Sequence, residues 1–368
     1  MSNIASSPIP ALSAYKSGQV AQPTGTAFMR NKDPKSYTEN VFQHSPDQAE
    51  IAETEAWRNY RDIYNRAANG EQFDYPIHLE IENIYACNLK CIHCAREYIE
   101  DAGIQRMSND LYKKVVKEAV AMGTRSLGFA VWGEAFLDKK IFEKIVYARE
   151  CGILDIRLHS NGYLVTPDIA KKIVESGVTW MSISLDAATP ETYARVRGGE
   201  FRRAVSGLTN LIEAKLLGLS ATPKLRVSFV KCSENEHEAE AFSRHYSQFC
   251  DVAIQEFYDA NGILPQALKP SVSTFQPKTQ CFENFYKAFI RHDGTVVPCC
   301  EDIRSSIVLG NITDQSLYDI YNSPAARDLR NQHASGRISN KTCRVCMGLD
   351  AAPIKEIIPI KFHEFQPT

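Results

Sequence analysis

The placement of cysteine constrains this chain more than any other feature. Eleven cysteines occur in 368 residues. Cys87, Cys91 and Cys94 share one short stretch, and Cys281, Cys299, Cys300, Cys343 and Cys346 gather in the last quarter. Cys151, Cys232 and Cys250 stand alone. Thiols grouped this way, in a chain whose first residues carry no apolar export signal, read as metal ligands and free thiols rather than disulfides. Three soft thiolates within one loop can hold three irons of a cubane iron–sulfur cluster, and no fourth cysteine follows locally to close the set. The alternative is a zinc knot, with His93 inside the loop as the extra ligand.

Composition excludes several function classes. A net charge of −2 provides no basic field for nucleic acid. No apolar run approaches the ~20 residues that span a bilayer. The expectation is a cytoplasmic protein with no nucleic-acid partner and no membrane partner.

Residues 1–45 are rich in Ser, Pro, Ala, Thr and Asn and read as an extension without sustained period. Ile51, Trp57, Tyr60, Ile63 and Tyr64 then predict an amphipathic helix over Gln48–Ala68. From Pro76 strands alternate with helices: IHLEIENI, SLGFAV, DIRLHS, WMSISLD, LRVSFV and VAIQEFY are the strands. Helices fall near Asn109–Met122, Lys139–Cys151, Pro167–Ser176, Arg202–Leu217 and Glu236–Phe249. This alternation predicts an α/β fold, a parallel sheet with helical crossovers. Residues 264–280 read as a linker, Asp293-Gly294 as a hairpin turn, and Ser316–Tyr321 and Ala325–His333 as short helices. The expected organisation is 1–75 extension with one helix, 76–265 barrel, 266–350 auxiliary region and 351–368 tail.

On the motif Cys87-x-x-x-Cys91-x-x-Cys94 after the first strand, residues 76–258 resemble the radical S-adenosylmethionine (radical SAM) superfamily. The resemblance implies a partial (β/α)6 parallel barrel with its open side covered by the auxiliary region. It implies that the open iron binds S-adenosylmethionine, whose reductive cleavage produces a 5′-deoxyadenosyl radical that abstracts hydrogen from substrate. His93 takes the place of the ring that packs near adenine. Trp132-Gly133-Glu134 resembles the Gly-Gly-Glu motif that meets the methionine ammonium, with Trp132 in place of the first glycine. Ser160 and Asn161 resemble ribose contacts. Ser184 and Asp186 end the next strand and are expected to line the pocket; Asp186 also suits a helix N-cap. Arg197 matches the arginine that pairs with the methionine carboxylate, and Arg195 competes for that place.

Cys281, Cys299, Cys343 and Cys346 resemble the auxiliary-cluster domains called SPASM and, in shortened form, twitch. No cysteine follows Cys346, which points toward the one-cluster version. Four cysteines complete one cubane, so two 4Fe–4S clusters are expected in all; four-cysteine zinc is the alternative. Cys300 adjoins a ligand and is left out of the set.

The resemblance implies an oxidoreductase acting on a small polar substrate such as a sugar or aminocyclitol, with the second electron passed to the auxiliary cluster. A reducing partner such as flavodoxin or ferredoxin is implied. His159, Asp186 and Tyr258 are candidate bases. Epimerisation, with Cys232 as hydrogen-atom donor, is a second reading. Maturation of a ribosomally made peptide is a third, although residues 1–75 show little strand periodicity. A non-catalytic iron–sulfur carrier is a fourth.

Overall fold

The strands of this chain carry apolar side chains on one face and polar ones on the other, and that division builds the molecule. The computed structural model describes residues 54–99, 103–129, 132–271, 277–278 and 280–350, with the backbone of 28–30 and 41–43. Six parallel strands form the main wall: β3 (His78–Ile81), β6 (Ser126–Phe129), β7 (Asp155–Ser160), β8 (Trp180–Ser184), β9 (Lys224–Val230) and β10 (Asp251–Gln255). They pair in chain order. Two short antiparallel ladders accompany them, β1 (Phe28–Arg30) with β2 (Val41–Gln43), and β4 (Ile84–Tyr85) with β5 (Gln105–Arg106). The β1–β2 ladder falls where the sequence showed no strand period.

Outward from the wall point Leu79, Leu127, Ile156, Met181, Val227 and Val252, all in one buried core. Helices α2 (Asn109–Met122), α3 (Ile141–Cys151), α4 (Pro167–Glu175), α5 (Pro190–Arg197), α6 (Phe201–Leu217) and α7 (Ala239–Tyr246) cover that side. On α2 the buried residues are Tyr112, Val115, Val116 and Ala119, an i, i+3, i+4, i+7 stripe. Each buried valine contributes about 1.5–3 kcal/mol. Helix α5 was not predicted; Thr189 caps it by accepting from Thr192 N–H, and Pro190 fits its first turn.

The inner face is polar. His78 Nδ1 lies 2.6 Å from Ser126 Oγ, and Asp155 accepts from Ser126 and Arg157. Helix α1 (Glu55–Ala68) lies where the strands begin, and its Tyr60 hydroxyl donates to Asp155 at 2.7 Å. Its observed start, capped by Thr54, is inside the predicted Gln48–Ala68 span. The other expectations for 1–45 and for the tail 351–368 lie outside the described residues.

The C-terminal region joins the wall at its β3 edge, an attachment no local sequence pattern announces. After the single turn α8 (Glu283–Tyr286), β11 (Lys287–Ile290) pairs in parallel with β3, and β12 (Thr295–Val297) and β13 (Gly310–Asn311) continue antiparallel. Glu82 fastens the join: it accepts from Arg291 Nε at 3.0 Å and lies 2.7 Å from His292 Nδ1. The helices α9 (Leu317–Tyr321), α10 (Pro324–Ser335) and α11 (Lys341–Cys346) follow. Among the described residues no helix is long and apolar enough to cross a membrane.

Candidate active site

The loop between β4 and β5 carries the first three cysteines, at the end of the wall where the parallel strands finish. Trp132-Gly133-Glu134 lies against it. Glu134 N–H donates to Ala86 O at 2.8 Å. A Cβ on Gly133 would sit 2.3 Å from Ile84 O and 2.9 Å from Ala86 O, so only glycine allows this approach.

Glu134 is buried and accepts three hydrogen bonds. One carboxylate oxygen accepts from Ser160 Oγ at 2.8 Å and Phe136 N at 3.3 Å, and the other accepts from Asn161 N at 2.8 Å. Burial pushes its carboxyl above the usual range, against the pull of those donors. The Asn161 amide donates to Asn88 Oδ1 at 2.8 Å and lies 3.8 Å from Cys87 Sγ. Thus β7 reaches the cysteine loop through Asn161, and Ser160 is directed to Glu134.

A second cluster of charge meets the loop from β8 and α5. Asp186 accepts from Arg197 at 2.6 Å, stands 3.3 Å from His93 Nε2, and accepts Val230 N–H at 2.7 Å. Burial alone would raise the Asp186 carboxyl, but Arg197 and His93 outweigh it and hold it at about 2. Its backbone is left-handed, φ 56°, with its carbonyl held by Asn235 Nδ2 at 2.9 Å. Asp186 is therefore not a helix cap; Thr189 holds that place. Arg197 is buried, and Cys91, raised to about 12 by burial, feels its charge. Arg195 is turned outward against Glu234 at 3.5 Å. Ser184 meets Ser228 at 3.2 Å, below Asp186.

The residues fit a bound polar group over the loop. Arg197 Nε and His93 Nδ1 are buried without a hydrogen-bond partner, an arrangement that folded proteins avoid unless something satisfies it. None of the eleven cysteines is disulfide-bonded.

The other thiols converge at the auxiliary region. Burial, with Cys300, Cys346 and Cys281 close by, pushes Cys299 well up. Cys281 rises to about 12 through burial, with Glu283 and Cys343 adding to it. Cys343 and Cys346 share helix α11, whose cap Asn340 accepts from Cys343 N–H. Four thiols gathered here suit an iron–sulfur cluster, with the Glu283 and Glu301 carboxylates close enough to act on Cys281 and Cys299 respectively. Between the two cysteine groups lies an apolar cluster of Tyr85, Trp132, Phe289, Val297 and Ile303. Trp132 Nε1 donates to Cys300 O at 3.0 Å and its ring lies 4.5 Å from that of Phe289.

Of the expected catalytic groups, Cys232 is fully buried, its amide held by Asn235 Oδ1 at 2.7 Å. His159 faces the barrel interior and burial lowers it to about 4. Tyr258 stands by Cys346 and Cys299, its phenol raised by burial first. The sequence reading missed the inner-wall residues Glu80, Arg226 and Lys287. Their signal is a charged residue at alternate positions of otherwise apolar strands, as in HLEI and LRVSFV.

Residues 81–240 match the radical SAM superfamily and residues 281–347 the iron–sulfur cluster-binding domain SPASM. The AdoMet-dependent heme synthase of Methanosarcina barkeri is 32% identical over 130 residues, 35% of this chain and 37% of that protein. The mycofactocin maturase MftC of Mycobacterium tuberculosis is 30% identical over 187 residues, 49% of this chain and 45% of that protein. The chain spans about a third to half of the length of the curated relatives it matches. Among solved structures, Streptococcus suis SuiB bound to precursor peptide SuiA superposes with TM-score 0.58 at 15% identity, over 79% of this chain and 73% of that one. Native anSMEcpe with bound AdoMet does so with TM-score 0.54 at 17% identity, over 74% and 88%. At these identities the likeness is one of fold.

Proposed function

The chain belongs to the radical SAM superfamily and carries a SPASM iron–sulfur domain, and from that premise we propose an oxidoreductase that removes hydrogen from a small polar substrate and passes the second electron to the auxiliary 4Fe–4S cluster. Its cofactors are 4Fe–4S clusters and S-adenosylmethionine. We take the barrel as 76–265, with 1–75 before it, the auxiliary region as 266–350 and the tail as 351–368.

When bound, the first cluster and S-adenosylmethionine supply a 5′-deoxyadenosyl radical. This chain's residues hold and orient them. Cys87, Cys91 and Cys94 are the ligands of the open cluster in this reading. Glu134 and Asn161 receive the amino and ribose ends of S-adenosylmethionine, with Gly133 setting the approach, Ser160 fixing the carboxylate and Ser184 behind Asp186. Arg197 offers its guanidinium to the methionine carboxylate, held in place by Asp186, and His93 lies beside them. Asp186 at about 2 is too weak a base to take a substrate proton. His159 is neutral and faces the interior, but its register with Ser182 and Arg226 sets it well below the Asp186 layer, so it is not assigned that proton.

The observation that carries the oxidative reading is the join between the two cysteine groups. Sheet pairing of β11 with β3 and the Trp132–Cys300 bond tie the auxiliary region to the first site, which supports reading Cys281, Cys299, Cys343 and Cys346 as ligands of a cluster held near it. A closed cluster has no open iron for substrate, so a fixed position near the first site suits electron acceptance. The thiol of Cys232 is buried, which weighs against its meeting a substrate. A peptide substrate is the second reading, supported by the fold shared with SuiB and by the local resemblance to MftC. Flavodoxin or ferredoxin suits as the reductant.

The test is iron and sulfide content with electron paramagnetic resonance on anaerobically reconstituted protein. About eight irons, with one reduced signal altered by S-adenosylmethionine, is the expected result. About four irons plus zinc removes the acceptor and sinks the oxidative reading. A product one carbonyl richer than its substrate supports oxidation; one solvent deuterium fixed in product, without oxidation, supports epimerisation instead.

A further inference from the structure

The barrel interior contains a cation, Arg226, whose neighbouring carboxylate, Asp251, stands beside it in the strand register rather than in salt-bridge contact. Arg226 sits mid-way along β9 with its guanidinium carbon 4.2 Å from the centre of the Trp180 ring. Its Nε donates to Ser182 Oγ at 3.2 Å. Among the described residues it has no carboxylate in salt-bridge contact, and its two terminal nitrogens make no hydrogen bond. Burial first, then Arg157, lowers its pKa to about 10 against the opposing pull of Asp251, which still leaves it charged at neutral pH.

Its neighbours are similarly unspent. His159 lies across Trp180, ring centres 5.2 Å apart and edge to face. Strand register puts His159, Ser182 and Arg226 in one layer of the inner wall. Two strand spacings, about 10 Å, separate its ends. Glu80 pairs with His78 at 3.0 Å through one oxygen, while its other oxygen is buried without a partner. Lys287 is already taken by Glu283 at 2.7 Å.

We propose that Arg226, backed by Trp180 and flanked by His159, is a subsite that receives a carboxylate of the substrate. This deepens the reading of the site as a radical SAM centre and rests on it. A guanidinium held over an indole at 4.2 Å, with its Nε tethered to Ser182, is preorganised for a two-point carboxylate bond. One unpaired cation matches a singly charged group; a phosphate dianion would call for a second free cation, and Lys287 is spent. Glu80 gives the opposite wall the opposite sign, so the anionic end of the occupant turns to Arg226 and a hydrogen-bond donor turns to Glu80. The layer lies four residues before Val230 on β9, about 13 Å along the strand. An extended substrate anchored at Arg226 therefore places its reacting carbon near the Asp186 layer and the cysteine loop.

Glutarate and inorganic phosphate are the probes, titrated calorimetrically into the reconstituted enzyme with S-adenosylmethionine. Glutarate should bind saturably, and at least tenfold more weakly to Arg226→Gln and to Trp180→Leu, with melting curves and iron content checking that each variant folds. On the parent enzyme, phenylglyoxal modification of Arg226, read by peptide mass spectrometry, should slow at least threefold in glutarate. Absence of glutarate binding, binding indifferent to Arg226→Gln, or unslowed modification overturns the proposal. Binding of phosphate but not glutarate overturns the carboxylate assignment. Cleavage of S-adenosylmethionine by the parent enzyme is read separately, so failure of the radical reading is told apart from failure of the subsite.

Discussion

Glu134 receives the backbone N–H of Asn161 at 2.8 Å, and so ties the end of β7 to the strand end that touches the cysteine loop. Its other oxygen holds Ser160 and Phe136. Replacing it by Gln keeps the shape but turns one acceptor into a donor facing another donor. Glu134→Gln should cost about 1–3 kcal/mol of stability and weaken S-adenosylmethionine binding at least tenfold in equilibrium dialysis. Lost stability with unchanged binding would reduce Glu134 to a structural clasp.

The Asp186–Arg197 pair makes a sharper prediction. Both groups are buried, and Asp186 also neutralises the side of Arg197 facing the barrel. Asp186→Asn leaves a buried guanidinium uncompensated, at a cost of about 3–5 kcal/mol. Asp186→Asn with Arg197→Met should recover part of that loss in thermal melts, because no stranded charge remains. A double variant as unstable as the sum of the single ones would show the two residues to be uncoupled.

Gly133→Ala tests whether the loop depends on close backbone approach. The added methyl meets two carbonyl oxygens of the segment entering the loop, neither of which can rotate away. The three-cysteine site should lose its iron while the auxiliary site keeps its own, so reconstitution should fall from about eight irons to about four. Full iron loading would show that the segment yields.

Some of this arrangement was legible in the sequence and some was not, for a physical reason. The strand–helix alternation and both cysteine groups are local patterns, and each can be read within a dozen residues. Glu134 and Arg197 were found because strand ends and short motifs announce them. The pairing of β11 with β3 joins segments about two hundred residues apart, and nothing near Lys287 states its partner. Helix α5 was not legible although Thr189-Pro190 is a good start signal, because its eight residues bury too short and too mixed a stripe to show a helical period. The Asp186 partners come from three different elements, so its local sequence suggested only a cap. Arg226 was readable in principle: an arginine at an inward position of a parallel strand is costly unless something uses it.

Two histidines predict how stability depends on pH. Burial lowers both His159 and His333 to about 4, with Glu80 opposing the shift at His159. Each is neutral in the folded protein and protonates near 6.5 once unfolded. The unfolded state therefore binds more protons between those values, so their contribution is whole above pH 6.5 and is lost as pH falls toward 4. Each amounts to about 3 kcal/mol. Buried carboxyls such as Glu134, raised above the usual range, titrate with the opposite sign, so the comparison must be with a variant. His333→Gln, on α10 and far in sequence from the cysteine loop, removes one contribution alone. Its melting temperature should fall less than the parent's between pH 7.5 and pH 5, with the two curves converging toward acid. Parallel curves would mean that His333 protonates equally well folded and unfolded, and that its burial carries no such penalty.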